Sequence, residues 1–75
     1  MVQLQKDIME IVQEWAKVKS YPIPFSIISE CLPEVKVRTL RASLKTLCHK
    51  RYLRKSDAMG RSAYVLRRKL NGYEI

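Results

Sequence analysis

The sequence holds two glycines, one histidine and two cysteines among its 75 residues, and each scarcity removes a class of function. Gly60 and Gly72 are too few to build the glycine-rich loop that cradles a nucleotide's phosphates. His49 has no second histidine to share a metal, and no nucleophile and base stand paired in the chain. A surface or phosphate contact is the expectation for it. Cys31 and Cys48 show neither CxxC spacing nor the accompanying histidines of a zinc site. Both fall in helical patterns and are expected as reduced, buried core thiols, with a disulfide between them as the alternative. No stretch approaches the roughly 20 apolar residues that cross a bilayer. The first residues carry neither the basic segment nor the apolar run of a secretory signal. The expectations are therefore a cytoplasmic or nucleoid-associated protein without membrane partner, catalytic residues, metal or cofactor, too small to enclose much of a pocket.

Acid is scarce as well. Seven Asp and Glu stand against fifteen Lys and Arg, for a net charge of +8. Such a molecule is drawn to polyanions. The imbalance is polarised, because Lys36 to Lys69 contains twelve basic residues and one acid, Asp57. Asp7, Glu10 and Glu14 lie earlier, in a row that reads as an ordinary solvated helix face. With 47% hydrophobic residues the chain is apolar enough to fold, and its length allows one domain over 1–75, with a core over about 5–68 and a tail over 69–75.

Apolar residues recur at Leu4, Ile8, Ile11, Val12, Trp15 and Val18, the three-and-four spacing of an amphipathic helix over 4–18. Trp15 on that stripe is expected in the core. Tyr21-Pro22-Ile23-Pro24 breaks the helix into an extended link able to form a one-bridge strand. A short helix follows over 25–32, with Ser26 expected to cap it, Glu30 to protect its first-turn amides, and Phe25, Ile28 and Leu32 to face inward. Pro33-Glu34 supplies a turn. Val37, Leu40, Leu44, Leu47 and Cys48 then mark the inner side of a third helix over 36–50. The period changes afterwards: 52–57 and 62–67 read as two strands joined through Ala58-Met59-Gly60-Arg61. Tyr21, Tyr52 and Tyr64 are expected in the core or at its edge, and Asn71-Gly72 is a strong turn dipeptide in the tail.

Helix, link, helix, turn, helix, hairpin is an order similar to that of the winged helix-turn-helix superfamily. Leu32, Val37, Thr39-Leu40, Leu44, Leu47 and Tyr52-Leu53 resemble its run of core positions through the recognition helix into the first wing strand, and the likeness spans about 5–68. It implies an α+β, mostly α fold: three helices followed by a two-stranded β-hairpin wing. Two positions depart from the pattern. Arg51 stands where many members have a glycine in left-handed geometry, and Lys36 where many have a Ser or Thr cap. The turn through Pro33-Glu34 is also one residue longer than usual.

The phase of the third helix gives a DNA surface independently. Opposite its apolar stripe lie Arg38, Thr39, Ala42, Lys45, Thr46 and His49, with no acid among them. Arg can bond a guanine edge twice, Thr can meet a thymine methyl, and Ala42 allows close approach in a major groove about 12 Å wide. Arg38, Thr39, Ala42 and Lys45 are the candidate base contacts. Lys36, Arg41 and Lys50 flank them and are assigned to phosphates, as are Arg54, Lys55 and Arg61 of a wing over 54–62 lying on phosphates or the minor groove. The expected function is sequence-specific binding of double-stranded DNA by a small transcriptional regulator. A homodimer through helix 1 or the C-terminal tail would help specificity. One alternative is a winged-helix protein-interaction module without DNA binding. Another is structured RNA, although the basic face lacks an aromatic platform for single strands.

Overall fold

A computed structural model describes residues 2–57, 60 and 62–67. Helix α1 spans Gln3–Val18 and buries Ile8, Met9 and Val12 from its inner stripe. Its start has no side-chain cap, and Gln3 Nε2 donates to Asp7 Oδ1 at 2.9 Å along the first turns. Lys19 ends it, its N–H bonded to the Trp15 carbonyl at 2.8 Å. The link is then tied back to the helix. Trp15 Nε1 donates to the Tyr21 carbonyl at 2.9 Å, and the two rings meet edge to face at 5.5 Å. Trp15 is half-buried against the core, while Tyr21 is exposed, contrary to its expected place at the core edge.

Ile23–Pro24 forms a short strand, β1, and α2 follows at once over Phe25–Cys31. The abrupt passage from strand to helix corrects the expected cap. Pro24, extended at φ −66° and ψ 148°, holds the cap position, so Ser26 lies inside the helix. Its fixed φ suits that place, and the amide it lacks is one that a helix start would leave unbonded. Glu30 falls in the last turn rather than near the first amides. Ile28 and Leu32 are buried, Phe25 packs partly against the core, and Cys31 is exposed rather than buried. Both cysteines are free.

The turn closes through Val35 N–H to the Leu32 carbonyl at 3.1 Å. Helix α3 covers Val37–His49, with Lys36 and Lys50 as its caps. Leu40, Leu44 and Leu47 are completely buried and join α3 to the core. Burying a leucine contributes about 1.5–3 kcal/mol, so this stripe fixes the rotation of the helix. Val37 shares its phase but is 50% exposed, which corrects its expected core position. Side chains lean toward a helix's N-terminus, and in the first turn that direction leads past the packed layer.

At the other end Arg51 adopts φ 68°. Its N–H bonds to the Cys48 carbonyl and that of Tyr52 to the Leu47 carbonyl, both at 3.0 Å. This pair of bonds is a Schellman closure, with an arginine in the left-handed position usually given to glycine. The chain turns directly into β2, Leu53–Ser56, which pairs antiparallel with β3, Ala63–Leu66.

Strand β1 pairs with the far side of β3, Ile23 opposite Tyr64 and Pro24 opposite Ala63. The sheet therefore has three antiparallel strands in the order β1-β3-β2, where a two-stranded hairpin was expected. Proline is tolerated because β1 is an edge. The result is a small α+β, mostly helical domain whose core lies between the helices and Ile23, Leu53 and Tyr64 of the sheet. Among the described residues no helix is long and apolar enough to cross a membrane.

Candidate nucleic-acid interface

The buried stripe of α3 dictates what its other side presents. Arg38, Ala42, Lys45 and His49 are all exposed, at the four, three, four spacing of a helical ridge. Ala42 lies about 200° round from Leu40, almost opposite the core. Thr39 is exposed on one flank of the ridge, with Thr46 half-buried below it. The Thr46 hydroxyl donates to the Ala42 carbonyl at 3.1 Å, which commits its proton within the helix. Thr39 has the freer hydroxyl geometry for an outside partner, since an exposed side chain in the first turn can rotate.

The flanking cations take different roles. Lys36 and Lys50 are exposed at the two caps of α3. Arg41 is also exposed, but its guanidinium carbon lies 4.3 Å from the centroid of the Phe25 ring on α2. A cation over an aromatic face is held there by the ring quadrupole. This contact fixes the direction of Arg41 and bridges the start of α2 to the middle of α3. Among the described residues the ion pair at 3.1 Å joins Lys17 and Glu14 on α1, and none of the α3 cations has an acidic partner.

Strand alternation separates the two hairpin cations. Lys55 faces Tyr64 across the ladder and acts electrostatically on Cys48 of α3, so it lies on the α3 side. Arg54, opposite Val65, lines a hollow of about 400 Å³ with Lys19, Trp15 and Tyr21 beside α1. The expected grouping of Arg54 and Lys55 on one face is not what the sheet provides. Arg61 lies outside the described residues, as does the tail over 68–75; its neighbour Gly60 has φ 73° and bonds its N–H to the Asp57 carbonyl at 3.0 Å.

Two groups beneath this surface have altered acidity. Burial pushes the Cys48 thiol up, against a smaller opposing effect of Lys55. Burial also raises the Tyr64 phenol, helped by Cys48 and Asp57 and opposed by Arg41. Both groups stay neutral near pH 7. Among the described residues no group of three His, Cys, Asp or Glu side chains could hold a metal.

Arg51 is exposed beside Lys50 and escaped the sequence analysis as a contact, although twelve cations in that half of the chain signalled it. The sequence analysis also missed an open groove between α1 and α2, whose signal was the outer series Ile11, Trp15 and Val18 on α1. Comparison with protein-family models, curated proteins and solved structures finds no match.

Proposed function

We propose that this chain is a winged helix-turn-helix protein that binds double-stranded DNA sequence-specifically, as a small transcriptional regulator in the cytoplasm or nucleoid. The observation that carries it is the outward ridge of α3: Arg38, Ala42 and Lys45 exposed in register, free of acid, with Lys36 and Lys50 at its ends. Arg38 and Lys45 supply donors for guanine O6 and N7, Thr39 a methyl and hydroxyl, and Ala42 the low surface between them. Lys36, Arg41 and Lys50 neutralise phosphates and fix the helix in the groove, with Lys55 reaching the backbone from the sheet. The element order α1-β1-α2-α3-β2-β3 suits a wing formed by β2 and β3.

Titration of random-sequence duplex at two salt concentrations tests the DNA contact. Affinity should fall steeply with salt, each phosphate contact contributing about 0.9 to the logarithmic slope. Salt-insensitive binding, or none, would leave the interaction-module alternative standing. Selection from a random duplex pool then supplies a preferred site. On it Arg38→Ala should cost about 1–3 kcal/mol and relax preference at one position, while nonspecific affinity changes less. Lys50→Ala should weaken all duplexes alike and lower the salt slope by about one.

A further inference from the structure

Between α1 and α2 the groove of about 520 Å³ is open to solvent and apolar, with Ile11, Ile27 and Cys31 inside it and Val18 at its lip. Val18 is 75% exposed, and Glu10 and Glu14 line the α1 side. Apolar surface rimmed by charge marks a contact site more often than an isolated exposed side chain does. None of Arg38, Thr39, Ala42 or Lys45 borders the groove, so an occupant would leave the ridge of α3 free.

We infer that a second copy of this chain fills the groove, with the two α1 helices antiparallel about a two-fold axis between Glu14 and Trp15. An interface of this symmetry must be complementary to itself. About that axis Ile11 meets the partner's Val18, and Glu10 meets the partner's Lys19; each apolar residue finds an apolar one and the acid finds a base. Neighbouring alignments lose this match. An axis through Glu14 itself sets Ile11 against Lys17, Glu10 against Val18, and Glu14 against its own copy. Lys19 is held at the end of α1, its ammonium 5.9 Å from the centroid of the Trp15 ring, beside the lip formed by Val18.

The charge distribution selects the same face. Five of the seven acids, Asp7, Glu10, Glu14, Glu30 and Glu34, belong to α1, α2 and the turn after them. Two molecules of charge +8 repel one another through any basic surface, and least through this one. Pairing here would present two α3 helices to one duplex and lengthen the sequence read, but the association does not depend on DNA.

Sedimentation of the full chain without DNA, from about 1 μM to about 1 mM, spans the affinities expected of such a contact. A reversible monomer-dimer equilibrium is expected, and Val18→Asp should weaken it at least about tenfold. Lys19→Glu should weaken it also, and Glu10→Lys together with Lys19→Glu should recover most of the loss. These side chains are exposed, so circular-dichroism melts at a concentration where the parent is monomeric should match the parent. A monomer throughout the range overturns the inference, as does a Val18→Asp variant that pairs like the parent. A charge swap that recovers nothing overturns the alignment. A dimer lost only on truncation after Arg67 assigns the contact to the tail instead, and overturns it too.

Discussion

Arg51→Gly and Arg51→Ala delete the same guanidinium, yet they should differ in stability by a calculable amount. At φ 68° any side chain crowds the following carbonyl, a cost of about 1–2 kcal/mol that glycine escapes. Glycine in turn gives the unfolded chain more freedom, which takes back about 0.4–1 kcal/mol. The glycine variant should therefore exceed the alanine variant by about 0.5–1 kcal/mol. For a domain of this size that is a melting-temperature difference of about 2–8 °C. Because both variants carry the same charge, electrostatics cancel from the comparison. Thermal and urea unfolding followed by circular dichroism provide the measurement, with urea slopes confirming that the unfolded states are comparable. An alanine variant that melts at or above the glycine variant would refute the left-handed closure of α3.

Leu44→Ala should cost about 2–5 kcal/mol, because it empties a site with no solvent exposure; an unchanged melting temperature would mean that α3 is rotated from the orientation described. Lys36→Ser should add a missing cap worth about 1 kcal/mol while lowering the salt slope of DNA binding by about one, so stability and affinity should move in opposite directions. Cys31 should react quickly with a thiol reagent and Cys48 slowly, since Cys31 is exposed while Cys48 is half-buried with its acidity suppressed. Cys48 and Tyr64 also set a pH dependence. The folded chain retains their protons above the ordinary values of 9.0 and 10.0, where the unfolded chain has lost them. Stability should be intact below pH 9.0 and decline as pH rises past it; a rise across that window in urea melts would contradict the burial of both groups.

The inner stripes of α1 and α3 were legible because Ile8, Val12, Leu40, Leu44 and Leu47 repeat with the period of a helix against a packed layer. Phase says nothing about where that layer ends, and Val37 and Cys31 were misplaced for this reason, each at an end of its helix. Ser26 was taken for a cap because a strand running straight into a helix at Pro24 has no local signature. The pairing of β1 with β3 joins residues far apart in the chain, and the hairpin was visible while its third strand was only a suggested bridge. The same distinction applies to the interface. The ridge of Arg38, Ala42 and Lys45 followed from the inward phase. The stacking of Arg41 on Phe25 and the division of Arg54 from Lys55 depend on which elements become neighbours.

Trp15 is the only tryptophan in the chain, and its indole sits where two events meet. Its Nε1 is bonded to the Tyr21 carbonyl, and its ring borders both the hollow beside Arg54 and the groove beside Val18. The protein thus carries an optical probe that needs no labelling. Unfolding breaks the indole bond and exposes the ring, which should shift its fluorescence to longer wavelength, whereas a side chain seated in the groove should shift it the other way by excluding water. Opposite displacements of one emission band would distinguish loss of the fold from occupation of its apolar face in a single titration.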